Sequence, residues 1–158
     1  MRIPLTRYGL PEIVGGSVLL LAAAVVSLLY FAPAAALFAL LWVWLLIFFR
    51  DPERRGRCSD RELLSPADGT VRDVEELDPP GAFLTGRAVR IGVFMSLFDV
   101  HVNRSPAEGI VRYRRHTAGK FHDARHPLAP LENEQNLVGL ELAGGGKVMV
   151  NQIAGVIA

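Results

Sequence analysis

Asp68 and His101 are the two side chains whose type and setting best suit proton chemistry. Asp68 lies in Leu64-Ser65-Pro66-Ala67-Asp68-Gly69-Thr70-Val71, where a Pro/Gly turn presents its carboxylate. His101 emerges from the apolar run Arg90-Ile91-Gly92-Val93-Phe94-Met95-Ser96-Leu97-Phe98-Asp99-Val100 and is followed by Val102-Asn103-Arg104. Brought together by a fold, the carboxylate would orient the imidazole as a general base. Each residue also has a plainer reading. An Asp in such a turn commonly hydrogen-bonds its own backbone, and a lone His leaving an apolar run is commonly a satisfied core residue.

Other chemistries find less support. His122 and His126 are four apart, a spacing that binds zinc on a helix, but Pro127 disfavours helical geometry at His126 and no third ligand or HExxH accompanies them. A Ser hydrolase built on Ser65, Ser96 or Ser105 lacks a GxSxG elbow. The only lysines, Lys120 in a basic loop and Lys147 in a Gly-rich turn, do not read as desolvated Schiff-base lysines for pyridoxal phosphate. Cys58 is the one cysteine, which excludes an internal disulfide and a cysteine zinc site; it reads as a spectator, with Arg55 and Arg57 nearby as the argument for reactivity. No GxGxxG or P-loop is present.

The elements that must position these groups divide the chain unevenly. Residues 13–49 carry no charge. As one straight helix they would run about 55 Å, against roughly 30 Å of bilayer hydrocarbon. Pro33 offers a break, so the pattern predicts a membrane anchor over 1–50 made of two helices, about 13–31 and 34–49. The second is short for a full span, which leaves a shallow or re-entrant hairpin open. A cleaved signal peptide fits poorly with so long an apolar stretch. A buried helical core fits poorly with so small a domain. Arg2 and Arg7 before the stretch, and Arg50, Arg54, Arg55 and Arg57 after it, predict that both ends face the cytoplasm.

Residues 51–62 read as a basic juxtamembrane linker whose arginines either meet anionic headgroups or are simply solvated. From 63 to 158 the pattern predicts a β-rich, mainly antiparallel α+β domain. Strands are expected at Gly69–Glu75, Arg87–Phe94, Gly109–Tyr113, Leu137–Leu142 and Lys147–Ala154, with turns at 78–81 and 143–146. Helical periodicity is weak there, with one turn possible in Met95–Val100. Residues 101–126 are basic: Arg104, Arg112, Arg114, Arg115, Lys120 and Arg125 oppose only Glu108 and Asp123. That favours an anionic lipid headgroup over nucleic acid as partner, with a solvated basic face as the plainer reading.

Several motifs together resemble phosphatidylserine decarboxylase in its short, prokaryotic, membrane-associated form. They are Phe48-Phe49-Arg50-Asp51-Pro52-Glu53-Arg54, Leu64 to Gly69, Asp99-Val100-His101-Val102-Asn103-Arg104-Ser105-Pro106, Gly119-Lys120-Phe121, Glu132-Asn133-Glu134-Gln135-Asn136 and Gln152-Ile153-Ala154-Gly155. The resemblance implies a proenzyme that cuts itself at a serine, which becomes the N-terminal pyruvoyl group of a small α-chain. That covalent carbonyl forms a Schiff base with phosphatidylserine and takes up the electrons left by carbon dioxide, giving phosphatidylethanolamine. It implies Asp68 and His101 as catalytic residues, and Arg104, Lys120 and Phe121 as candidate substrate contacts. It further implies a catalytic domain on the cytoplasmic side of the inner membrane, the protein's own α-chain and membrane phosphatidylserine as partners, a possible homo-oligomer, and neither metal nor nucleic acid.

Two departures from the family pattern stand out. Arg104 occupies the place of a second histidine found in long-form members. No family-like Gly-Ser follows near the C-terminus, and of the six serines only Ser59, Ser65, Ser96 and Ser105 lie outside the anchor. The expectation is therefore a C-terminally truncated proenzyme, the β-chain portion, inactive by itself. The alternative is a non-catalytic, membrane-anchored β-domain that binds anionic lipid.

Overall fold

The structure, a computed structural model, describes residues 5–54, 62–78, 81 and 83–157. Cys58, Arg55, Arg57 and most of the expected linker lie outside the described residues, as do Pro79 and Pro80 of the expected turn. The chain forms two compact units. The first comprises Met1–Arg57, Ala67–Gly69 and Met95–Asn103; the second comprises Cys58–Pro66, Thr70–Phe94 and Arg104–Ala158.

The first unit is built on a helical hairpin. A 3-10 turn at Arg7–Gly9 leads into α1 (Leu10–Tyr30), and α2 (Ala32–Phe48) follows. The break falls at Phe31, not at Pro33. Phe31 is extended (φ −157°, ψ 86°) and its N–H caps Ser27 O at 2.7 Å. Pro33 instead sits in the first turn of α2, where its missing N–H would have had no helical acceptor and its fixed φ suits helix initiation. The expected bounds thus shift by one to three residues.

Both helices lack charged residues after Glu12, and their packing relies on small contacts. A Cβ on Gly16 would lie 2.8 Å from Leu45 Cδ2, so the helices approach through that glycine. Trp42 Nε1 donates to Ser17 Oγ at 3.0 Å across the hairpin, which satisfies two polar groups in an apolar setting. At the foot, Thr6 N–H donates to Phe49 O at 2.9 Å and Leu5 bridges antiparallel to Arg50. The segment Arg7–Tyr30 is long and apolar enough to cross a membrane, whereas α2, at 17 residues, is shorter. Val18, Leu19, Val25, Leu29, Leu37 and Leu40 are exposed, so the hairpin is not wrapped in protein as a soluble core helix would be.

The second unit holds two antiparallel sheets. β1 (Thr70–Leu77) pairs with β2 (Ala88–Phe94), and β3 (Gly109–Thr117), β4 (Gln135–Leu142) and β5 (Lys147–Ile153) form a meander in that order. All five expected strands are present. β3 runs four residues further than expected and carries a bulge between Val111 and Tyr113. The β4–β5 hairpin closes at the glycine run, where Gly145 takes φ 79° and Leu142 N–H donates to Gly146 O at 2.8 Å. Gly139 of β4 lies beneath the stacked rings of Phe83 and Tyr113, whose centroids are 5.6 Å apart; a Cβ there would meet Phe83 Cδ1 at 2.6 Å.

Asn133 ties the far end of this unit together. It follows the short helix α3 (Ala129–Glu132) and is 2% exposed. Its Oδ1 accepts from His122 N–H at 2.9 Å, and its Nδ2 donates to His122 O at 2.9 Å and Ala154 O at 2.7 Å. Lys120 N–H to Glu132 O and Glu134 N–H to Lys120 O, at 2.8 and 2.9 Å, complete the clamp. A Cβ on Gly119 would lie 2.4 Å from Glu132 O, so only glycine admits this approach. Truncating a buried, triply bonded amide leaves its partners unsatisfied. Asn133→Ala is therefore expected to lower unfolding free energy by about 3 kcal/mol, read as a fall in urea midpoint with the slope unchanged.

Candidate active site

β1 begins directly after the segment of Asp68, and β2 ends directly before the segment of His101. Thr70 pairs with Phe94 at the end of the β1–β2 sheet. Asp68 lies two residues before Thr70, and the Met95–Asn103 segment begins directly after Phe94. Beyond both excursions the chain closes again: Arg104 N–H donates to Pro66 O at 2.8 Å and Leu64 N–H donates to Pro106 O at 2.9 Å. The two excursions, Ala67–Gly69 and Met95–Asn103, belong to the helical unit.

Within that unit Asp68 forms an ion pair with Arg54, six residues past the end of α2. Both side chains are partly exposed, so the pair fixes orientation more than it adds stability. His101 is held on two sides. Its ring stacks on Phe48, the last residue of α2, with centroids 4.3 Å apart and an interplanar angle of 26°. Its Nδ1 lies 3.1 Å from Asp99 O. A carbonyl only accepts, so Nδ1 carries the proton and the neutral ring keeps Nε2 as its basic nitrogen.

The turn before His101 is also fixed. Asp99 Oδ2 accepts from Ser96 N–H at 2.7 Å, and Asp99 N–H donates to Ser96 O at 3.0 Å. The Ser96 backbone N–H, then its hydroxyl, hold the Asp99 carboxyl below its usual range, with the Arg50 charge adding to this. Arg50 donates from Nη1 to Ile47 O at 2.9 Å and from Nη2 to Phe98 O at 2.6 Å, so one guanidinium joins the end of α2 to the turn. Val100, next to His101 in the chain, is 1% exposed.

Asp68 and His101 thus share a unit, but the hydrogen bonds described for each run to other groups, Arg54 for one and Asp99 for the other. Phe48, Arg50, Arg54 and Asp99 were not among the site residues expected from the sequence, although all four lie in the motifs that carry the resemblance. The aromatic-then-arginine close of the apolar stretch was their available signal. Arg104, Lys120 and Phe121 belong to the second unit. Arg104 contributes its backbone to the Pro66 closure, and Phe121 is exposed.

Lys120 is committed to an ion pair. Its Nζ lies 2.8 Å from Glu132 Oε2, which also meets His122 Nε2 at 3.0 Å. His122 and His126 stack at 4.7 Å between centroids, in a turn rather than on a helix, and His126 Nδ1 accepts from Leu128 N–H at 3.2 Å. Much of the basic segment is paired in the same way: Arg112 with Glu141 at 2.8 Å, His116 with Glu134 at 3.1 Å and Arg125 with Asp123 at 2.7 Å.

Residues 42–158 match the family model described as phosphatidylserine decarboxylase. The chain belongs to the phosphatidylserine decarboxylase family. It is 42% identical over 139 residues to a phosphatidylserine decarboxylase proenzyme of Symbiobacterium thermophilum, covering 88% of this chain and 64% of that one. To the proenzyme of Pelobacter propionicus it is 44% identical over 124 residues, 78% of this chain and 56% of the relative. To that of Geotalea daltonii it is 35% identical over 156 residues, 99% and 71% respectively. The chain thus spans somewhat more than half to about two thirds of the length of these phosphatidylserine decarboxylase relatives.

The Lys120–Glu132–His122 cluster gives this family member a titration to follow. Lys120, and then His122, hold the Glu132 carboxyl below its usual range. Its folded value is below its unfolded one, so its contribution to stability is complete above the ordinary carboxylate range near about 4.3 and is lost as pH falls through the lowered value. In Lys120→Met the Glu132 carboxyl should titrate at higher pH, nearer its ordinary value, and by a larger shift than in His122→Asn. Carbon-detected NMR titration of the Glu132 side chain measures both.

Proposed function

We propose that this chain is the β-chain portion of a pyruvoyl-dependent enzyme that decarboxylates phosphatidylserine to phosphatidylethanolamine at the cytoplasmic face of an inner membrane. The observation that carries this reading is the seat of His101: a candidate catalytic imidazole stacked on Phe48, the last residue of an apolar helix. A base mounted there serves a substrate whose acyl chains stay in the bilayer. Family membership supplies the class of reaction, and the relatives' printed names describe proenzymes of that class.

A pyruvoyl group supplies a carbonyl that accepts the electron pair left when carbon dioxide departs. The residues present fit such a group. His101 retains Nε2 for proton transfer, with Nδ1 committed to Asp99 O. Neither lysine competes as an amine, because Lys120 is paired with Glu132 and Lys147 lies over the Phe83 ring, 5.3 Å from its centroid. In this reading the group comes from a serine other than the six in residues 1–158.

His101 Nε2 takes or returns a proton at the substrate's amine and Cα, as a general acid–base. Asp68, oriented by Arg54, primes the serine for self-cleavage together with His101. Arg104 and Phe121 are carried forward as candidate substrate contacts, and Lys120 acts through its pair with Glu132. With Arg104 in place of a second histidine, His101 serves both the cleavage and the turnover.

The natural gene that encodes residues 1–158, expressed in full, tests this reading. Two polypeptides are expected, the smaller with a blocked N-terminus by mass spectrometry, together with release of carbon dioxide from phosphatidylserine. Asp68→Asn and His101→Ala should each leave the polypeptide uncut and reduce carbon dioxide release at least a hundredfold. Normal processing in either variant removes that residue from the priming step. One uncut polypeptide and no carbon dioxide from the unmodified gene reject the enzyme in favour of a lipid-binding domain.

A further inference from the structure

The turn that delivers His101 has a tip with no described role. Phe98 is 72% exposed and Leu97 is 43% exposed, side by side at the apex of Ser96–Asp99. Two adjacent large apolar side chains on a turn are costly in water and suit an apolar phase.

Several backbone groups around that tip are already engaged. Phe98 O accepts from Arg50 Nη2 at 2.6 Å, and Phe98 N–H lies 3.4 Å from Ser96 Oγ. Ser96 N–H is taken by the Asp99 carboxylate at 2.7 Å, and Asp99 N–H by Ser96 O at 3.0 Å. A loop enters the edge of a bilayer only when its backbone groups are satisfied without water, and this turn meets that demand at these groups. The turn is also fixed to the hairpin in its own unit. Arg50, two residues past the end of α2, holds Phe98 O with one arm and Ile47 O with the other. Arg50 therefore ties the tip to the end of α2, and Tyr8, 78% exposed at the foot of α1, adds an aromatic side chain of the kind enriched at headgroup level.

We propose that Leu97 and Phe98 insert into the acyl–headgroup boundary of a lipid bilayer and set the height of His101 above it. The guanidinium of Arg50 then lies at the level of the phosphates, its alkyl stem along apolar surface. This rests on the reading of the α1–α2 hairpin as membrane-embedded.

The test uses the full-length protein in phosphatidylcholine–phosphatidylglycerol vesicles containing lipids brominated either near the headgroup or deep in the chains. The reporter is Phe98→Trp in a Trp42→Phe, Trp44→Phe background. Phe98 is exposed, so a larger ring there displaces no packed neighbour. A Trp44→Phe variant, which keeps Trp42, reports on the hairpin. The position-98 tryptophan should emit further to the blue in vesicles than in detergent-free buffer with bromine-free lipid withheld, and should lose at least half its intensity to shallow bromine and less to deep bromine. Quenching of Trp42 without quenching at position 98 overturns the insertion and leaves the hairpin reading standing. Absence of quenching at both positions overturns the hairpin reading as well. A blue emission at position 98 that bromine does not touch means that protein covers the tip, and this also overturns the proposal.

Discussion

The antiparallel register of β1 on β2 is the constraint on which the rest depends. Because Thr70 faces Phe94, the chain leaves both strands at one end of the ladder, and the backbone bonds of Arg104 to Pro66 and Leu64 to Pro106 return it there. A one-residue slip would turn alternate side chains of the ladder over to its other face. The bulge between Val71 and Asp73 makes such a slip harder, since it fixes where the two strands fall out of step. Asp68 and His101, 33 positions apart in sequence, lie in one unit.

That pairing also explains what could be read from sequence and what could not. The five strands and the apolar hairpin were legible, because alternation, Gly/Pro punctuation and an uncharged run are local signals. The helix break at Phe31 was not, since proline marks a helix start as readily as a stop and only the capping geometry separates the two. The seat of His101 was equally hidden. Phe48, Arg50 and Asp99 matter through a ring stack, a forked guanidinium and a backbone carbonyl, none of which leaves a pattern in spacing. The expected Asp68 and His101 do lie in one unit, while the described bond of Asp68 is to Arg54, an ion pair that no count along the chain foretold.

The basic segment teaches a related lesson about counting charge in one dimension. Residues 101–126 are rich in arginine, but most of the counter-charges described for them come from further along the chain. Glu132 at the end of α3, Glu134 between α3 and β4, and Glu141 on β4 return beside them. Cross-strand neighbours decide the local field, and a linear window excludes them by construction. Arg114 and Arg115 are exposed on β3 without a described ion pair, so the positive character of this unit is narrower than composition suggests.

The two units therefore hold themselves together by different means. In the hairpin, apolar helices meet at Gly16 and exchange a single Trp–Ser hydrogen bond, an arrangement that suits surroundings able to solvate Val18, Leu19 and Leu29. In the β unit, Val71, Val74, Val89, Ile91, Ile110 and Val111 are all exposed, and the deeply buried side chains include Ala129, Leu140 and Asn133. Hydrophobic burial is thin there, so directional bonds carry a larger share of the order. Asn133 is the clearest case: a buried amide is tolerated only when both of its ends are matched, and three backbone groups match it. The loop it fixes is the one bearing Lys120, Phe121 and His122. The Glu132 to Asn136 motif is thereby explained by architecture, as a lock on a neighbouring loop, without requiring any of its side chains to meet a substrate.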